Sequence, residues 1–206
     1  MKVEIRNAGR EAHISGYVNA VERDSRVLPQ SMCRTAAGPF VEKVRAGAFA
    51  KAIAANPNIR MLFNHDKNRE IGRTADGTLK LTEDAIGLRA EAVITDPEVV
   101  SAAKKGELRG WSFGFTQPVD DWEPTSNDGI QRRNLSGFAL DEVSILTKIP
   151  AYFGTSVEVR SLTDGEECFS ELRAIDDAAE VTAQPEFSAD YYKKQVELLK
   201  LEGEIL

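Results

Sequence analysis

The chain has 206 residues, of which 42% are hydrophobic and 29% are charged, and its formal net charge is −7. This length suits one substantial core or one domain with an appendage, and the composition is ordinary for a soluble globular protein. The acidic balance argues against a nucleic-acid-binding protein, which normally carries a basic surface, and no apolar run approaches the length of a membrane span.

Export and redox chemistry are also disfavoured. The first residues, Met-Lys-Val-Glu-Ile-Arg, contain no apolar signal core, so we expect no secretion by that route. Cys33 and Cys168 are far apart in the sequence and form no metal-ligand or redox spacing. We therefore predict two free thiols in a reducing cytoplasm.

The negative charge is concentrated at the C-terminal end. Residues 161–206 contain twelve Asp or Glu and four Lys or Arg, whereas the first 160 residues come to about +1. This asymmetry predicts a nearly neutral folded domain over residues 1–160, followed by a more solvated acidic tail over 161–206.

The first part of the chain is dominated by strand patterns. In chain order, we predict strand segments over 3–22, an irregular loop over 24–40, a helix over 47–55, a short strand over 59–63 and a hairpin formed by 79–82 and 87–94. Phe49 and Ile53 share one face of the helix, and Asn56-Pro57 ends it.

A second helix has clear signals at both ends. Asp96 is placed as the N-cap with Pro97 after it, and Lys104-Lys105 and Gly106 mark the end. The strand that contains Ser112 follows, then a polar loop over 120–131 with Asn127-Asp-Gly129, then a strand over about 131–147. This order lacks the regular strand–helix alternation of a parallel sheet and predicts a strand-rich α+β fold.

The tail has one recognisable element. Residues 163–186 are acidic and rich in Ala, and Pro185 interrupts them. From Ser188 to about Glu202, a Ser cap and an apolar stripe of Tyr192, Val196 and Leu199 predict a helix. A helix of that length is marginal by itself and needs a partner.

Ser112 lies in the stretch Arg109-Gly-Trp-Ser-Phe-Gly-Phe115. In a strand, Trp111, Phe113 and Phe115 point to one face, which implies burial, and Ser112 and Gly114 point to the other. That face offers one hydroxyl beside a residue without a side chain, a suitable place for a rigidly held nucleophile. The same pattern also suits a half-buried strand whose outward residues are Ser and Gly.

A nucleophilic serine needs a base and a group that orients it. His65, where the apolar run Leu62-Phe63 meets a polar turn, is the candidate base, whereas we expect a structural role for His13. In strict alternation Leu140, Glu142 and Ser144 share one face of the later strand, and Asp141 shares the other with Val143 and Ile145. The pattern leaves open which carboxylate orients His65, or whether both lie on the surface.

Metal and cofactor chemistry have little support. A zinc site normally requires three or four N or S ligands, and the chain has two histidines and no cysteine pair. No Walker A motif or dinucleotide-binding glycine loop is present. We therefore predict no metal and no cofactor.

Three ordered segments resemble the prohead maturation proteases of tailed phages of the HK97 type. The first segment comprises Phe49–Ile53, Asn58–Asp66 and Ile71–Thr74. The second is Gly110-Trp-Ser-Phe-Gly-Phe115, which contains Ser112. The third comprises Leu140–Ile145 and Ile149–Tyr152. The resemblance covers about residues 10–160, and the order of the set makes it specific.

The resemblance implies a serine endopeptidase of herpesvirus assemblin-like fold, a compact β-barrel with flanking helices. It places the nucleophile on Ser112 and the general base and acid on His65. The acidic member falls on Glu142, with Asp141 as second choice. Metals and cofactors are not needed.

The resemblance also implies partners. Such proteases act inside the immature capsid, in the host cytoplasm, where they cut the scaffold segment from the major capsid protein and finally cleave themselves. The resemblance is also compatible with a protease that forms a homodimer. The tail over 161–206 is then either a self-cleaved extension or a segment that docks on scaffold or shell. The alternative is a non-enzymatic assembly protein, a barrel that binds scaffold through this tail.

Overall fold

The computed structural model describes residues 1–124 and 129–152. Within these ranges the chain forms two β-sheets and two α-helices, which confirms the strand-rich α+β class. The acidic segment 161–206, its predicted helix and Cys168 lie outside the described residues, as does most of the Asn127-Asp-Gly129 turn. The domain boundary at residue 160 stays a prediction. None of the described helices is long and apolar enough to span a bilayer.

The first sheet is antiparallel throughout and has four strands. They are β1 (Lys2–Arg6), β2 (Glu11–Ala20), β6 (Leu79–Glu83) and β7 (Gly87–Ile94), in the spatial order β1-β2-β7-β6. The predicted hairpin is β6 and β7, paired from Leu79 with Ala92 to Glu83 with Leu88. Along β7 every second residue is buried, so one face of the sheet packs on the core.

The second sheet is built around one long strand, β9 (Gln131–Leu146). Its other strands are β3 (Phe40–Val44), β4 (Arg60–Phe63), β5 (Glu70–Arg73) and β8 (Gly110–Glu123). β8 runs antiparallel along one edge of β9. On the opposite edge, β3 and then β4 pair with β9 in parallel, and β5 extends the sheet beyond β4. The middle of β9 is therefore flanked by strands from distant parts of the sequence.

Two expectations about the strands are wrong. The strands of the described residues pair as two separate sheets and close no barrel. The predicted loop over 120–131 is too long, because β8 continues to Glu123. The acidic residues there belong to a strand that pairs with β9. Asp120 accepts a hydrogen bond from Arg133, and Asn134 donates to both Asp121 and Glu123. Strands β3 and β5 were not predicted.

Both predicted helices are present, as α1 (Ala48–Ala55) and α2 (Pro97–Lys104). The Asp96 carboxylate caps α2 by accepting hydrogen bonds from the backbone of Glu98 and Val99, at 3.0 Å each, as expected for an N-cap. The N-cap of α1 is Gly47, which has no side chain to do this. Glu83 of β6 supplies the carboxylate instead and accepts from Gly47 N at 2.7 Å.

Aromatic rings fill the core between the sheets and α1. Phe113 lies 5.1 Å from Phe49 and 5.6 Å from both Phe115 and Tyr152, measured between ring centroids. Trp111, Phe113 and Phe115 are at most 2% exposed. The predicted aromatic face of β8 is thus confirmed as the core face, and this fixes the direction of Ser112 and Gly114.

Candidate active site

Ser112 and Glu142 are brought onto one face of the second sheet by the register of β8 and β9. Ser112 is directly opposite Ser144, and Gly114 is directly opposite Glu142. A Cβ atom added to Gly114 would lie 2.4 Å from Glu142 Oε1, so the Glu142 side chain extends across the face of Gly114. Ser112 shares that face, because it is two residues from Gly114 on the same strand.

A β-bulge at Asp141 ends the regular pairing of β8 and β9 just beyond Glu142. Gly114 pairs with Glu142, but the next residue, Phe115, pairs with Leu140, so β9 contains one extra residue. Leu140 therefore points into the core with Phe115, not to the face of Glu142 as strict alternation predicts. At the bulge, the side-chain amide of Asn56 donates a hydrogen bond to the Leu140 carbonyl oxygen at 3.0 Å.

His65 is presented by a tight turn directly after β4. Asn64 and His65 have φ angles of 55° and 58°, and the Asp66 N–H donates to the Phe63 carbonyl at 3.1 Å. Positive φ at both central residues is the signature of a type I′ turn. Left-handed backbone at a residue other than glycine is strained by roughly 1–2 kcal/mol, and such residues concentrate at functional sites.

The turn is fastened to the end of β9. The Asn64 N–H donates to the Ile145 carbonyl at 2.9 Å. The Asn64 side-chain oxygen accepts from the Thr147 N–H, also at 2.9 Å, and from its hydroxyl at 3.2 Å. These three bonds hold His65 over β9 in spite of its unfavourable φ.

His65 and Glu142 form a buried hydrogen-bonded pair. Nδ1 of His65 lies 2.7 Å from Oε1 of Glu142, and each residue is 6% exposed. Ser144 contacts both partners: its hydroxyl donates to Glu142 Oε2 at 2.7 Å and accepts from the His65 backbone N–H at 3.2 Å. Low exposure limits solvent screening, so attraction within the pair is stronger than on the surface.

The other ring nitrogen of His65 is the atom that matters chemically. A carboxylate accepts hydrogen bonds, so Nδ1 carries the proton and Nε2 of the neutral ring presents a lone pair. Within the described part of the chain, Nε2 is buried and makes no hydrogen bond. It is therefore an unsatisfied base held in a fixed orientation.

Ser112 is more deeply buried than the sequence indicates. It is 1% exposed, although its position in the alternation suggested an open face. Ser112 Oγ and His65 Nε2 are not hydrogen-bonded in this structure, since Nε2 has no partner among the described residues. Hydrogen bonds between nucleophile and base are often longer without substrate and tighten in the complex.

The other candidate residues lie elsewhere. His13 is on β2 of the first sheet, where its Nε2 lies 3.5 Å from Glu11 Oε2. Burial raises the pKa of the Asp141 carboxyl, against a hydrogen bond from Thr116 that lowers it. Cys33 carries a free thiol. Within 1–124 and 129–152, no group of three or more His, Cys, Asp or Glu side chains is arranged to hold a metal ion.

The contacts that Ser144, Gly114 and Asn64 make around the site were not predicted from the sequence. Ser144 and Gly114 belong to strand patterns that do not reveal which strand they face. Asn64 has a local signal, because Asn adopts the left-handed conformation more readily than most residues. An Asn-His pair directly after an apolar strand was therefore a recognisable turn.

Comparison with known proteins connects the chain with a protein family and with a curated relative. Residues 1–168 match the family of caudovirus prohead serine proteases. The chain is 28% identical over 152 residues to the prohead protease of Escherichia phage T5, an alignment that covers 66% of this chain and 65% of that protein. The matched region therefore spans slightly less than two thirds of the length of this curated relative.

Proposed function

Because this chain belongs to the caudovirus prohead serine protease family, we propose that it is a serine endopeptidase of capsid maturation. Its proposed substrates are the scaffold segment of the major capsid protein and the protease chain itself. One observation carries the proposal: the buried His65–Glu142 pair leaves Nε2 without a partner in the described part of the chain, near the sheet face that holds Ser112.

The proposed mechanism assigns one role to each member of the set. Nε2 of His65 accepts the Ser112 proton as Oγ attacks the peptide carbonyl, and the resulting imidazolium returns that proton to the leaving amine. The same base then takes a proton from a water molecule, which attacks and hydrolyses the acyl-enzyme. Glu142 keeps the proton of the neutral ring on Nδ1 and stabilises the imidazolium in each step.

The proposed place of action follows from the family. Prohead proteases act on a shell from within, so we assign this chain to the interior of the immature capsid in the host cytoplasm. The T5 relative is named a prohead protease, which agrees with this location. Our proposed partners are the capsid protein with its scaffold segment and a second copy of the protease.

Co-expression of the chain with the major capsid protein, followed by mass spectrometry of the intact products, tests this function. We expect a shortened capsid protein with one new terminus and protease fragments that reveal self-cleavage. Intact capsid protein in the presence of folded protease would contradict the proposal. If truncation after Arg160 then abolished assembly, the non-enzymatic alternative would be favoured.

Gly114→Ala is expected to lower kcat/KM for a peptide substrate by roughly 10²-fold, the effect of misplacing a catalytic group by about 1 Å. The new methyl group would lie 2.4 Å from Glu142 Oε1 and 3.1 Å from Cδ, so the carboxylate has to move. Movement breaks its bonds to His65 and Ser144. The measurement is steady-state cleavage of a peptide identified from the capsid products.

Gly137→Ala is the matched control for this prediction. Gly137 lies on β9, and among the described residues an added Cβ would meet only the Val119 side chain, at 3.6 Å, an ordinary van der Waals contact. We expect nearly unchanged activity, because the catalytic pair is not displaced. Equal activity of the two variants would show that Gly114 does not make room for Glu142.

A further inference from the structure

Ser144 lies at the point where three strands of the second sheet meet. On β9 it is directly opposite Ser112 of β8 on one side and Leu62 of β4 on the other. It is fully buried. Its hydroxyl donates to Glu142 Oε2 at 2.7 Å and accepts from the His65 N–H at 3.2 Å. One side chain therefore contacts both the acid and the base of the proposed site.

The hydroxyl determines how the Glu142 carboxylate is oriented. Glutamate has three side-chain torsions, and its terminal torsion is broad, so one hydrogen bond to His65 leaves the carboxylate free to rotate. Ser144 holds the second oxygen, and Oε1 is thereby directed at Nδ1. A buried carboxylate oxygen that loses such a donor loses part of what offsets its desolvation.

The same hydroxyl supports the strained turn. With φ at 58°, the backbone of His65 is in a conformation that few residues adopt. Its N–H lies inside the protein and needs an acceptor. Ser144 Oγ is that acceptor, so the position of the imidazole and the position of the carboxylate depend on a single atom.

We propose that Ser144 is a positioning residue of the protease, which sets the distance and angle between His65 and Glu142. This inference rests on the proposed function. Ser144 is not a second nucleophile: its proton is donated to Glu142, and its contacts with His65 are on the backbone side, not at Nε2.

Ser144→Ala and Ser144→Thr test the proposal as a pair. Alanine removes the hydroxyl, and we expect kcat to fall roughly 10- to 100-fold, by analogy with the loss of a residue that orients a catalytic metal ligand, with KM unchanged. Threonine keeps the hydroxyl on a β-branched residue suited to a strand, and kcat should recover most of the loss seen with alanine. Ser136→Ala, on an exposed part of β9, is the control.

A second measurement separates this inference from the proposed function. The chain has only two histidines, so the proton on His65 Nδ1 can be assigned by ¹H–¹⁵N NMR with His13→Gln as reference. In a Ser112→Ala background, which needs no activity, Ser144→Ala should shift this downfield proton upfield and speed its exchange with water. Ser144→Thr should restore both.

The two measurements give clear outcomes. An unchanged Nδ1 proton and an unchanged kcat in folded Ser144→Ala would overturn the inference, as would equal losses in folded alanine and threonine variants. If the natural chain cleaves nothing but the Nδ1 proton responds to Ser144→Ala, the proposed function fails while the positioning of His65 by Ser144 stands.

Discussion

Ser112→Ala is expected to abolish proteolysis, with kcat/KM reduced by a factor on the order of 10⁶, the loss seen when a catalytic nucleophile is removed from a serine protease. Without Oγ no acyl-enzyme forms, and the unsatisfied Nε2 of His65 has no nucleophile to activate. The fold should persist, because alanine keeps the Cβ and Trp111 and Phe113 remain in the core. Intact-mass analysis of co-expressed capsid protein and protease should show both chains uncut.

Ser101→Ala is the matched control for this experiment. Ser101 lies on α2, outside the second sheet, and alanine is the better helix former there. This variant should process capsid protein at the natural rate. Labelling with a fluorophosphonate, which reacts covalently with activated serines, should occur in the control and be lost in Ser112→Ala. Normal processing by a folded Ser112→Ala protein would refute the assignment of the nucleophile.

Local sequence signals predicted elements whose determinants are close together in the chain. The cap at Asp96, the proline after it and the lysines of the last turn are all within ten residues, and α2 forms as they indicate. The hairpin of β6 and β7 likewise follows from alternation on either side of a short turn. In both cases the stabilising groups are sequence neighbours.

Elements stabilised by distant residues were predicted poorly. The acidic end of β8 resembles a loop until Arg133 and Asn134 of β9 are placed opposite it. Helix α1 itself was predicted, but the source of its cap was not, because the carboxylate that accepts from Gly47 N belongs to Glu83 of β6. Such partners are set by sheet register, which periodicity within one segment does not specify.

The residues of the candidate site also differ in how far the local sequence predicts them. Ser112 and His65 were identifiable because the aromatic alternation fixes one face of β8 and the chain has only two histidines. The choice between Asp141 and Glu142 was open, since it depends on how β9 pairs with β8: Glu142 lies opposite Gly114, and the bulge follows at Asp141. A bulge is a property of two paired strands, and one strand's sequence does not reveal it.

Glu142→Gln is expected to lower kcat/KM roughly 10³- to 10⁴-fold, similar to the loss of the orienting carboxylate in other serine proteases. The Ser144 hydroxyl donates to this position, so the amide oxygen of glutamine should face Ser144 and its NH₂ group should face His65 Nδ1. Nδ1 then becomes an acceptor and the ring proton moves to Nε2. A protonated Nε2 does not take the proton of Ser112, and no charge remains to stabilise the imidazolium.

Asp141→Asn makes the same chemical change at the adjacent residue and is the control. Burial raises the pKa of the Asp141 carboxyl above its value in the unfolded chain. Its charged form therefore destabilises the fold as pH rises through the folded pKa, and below the unfolded pKa this effect is absent. We expect Asp141→Asn to keep its activity, with a Tm at neutral pH equal to or above that of the natural chain and no difference in acid. A large loss of activity in Asp141→Asn together with normal cleavage by Glu142→Gln would transfer the orienting role to Asp141.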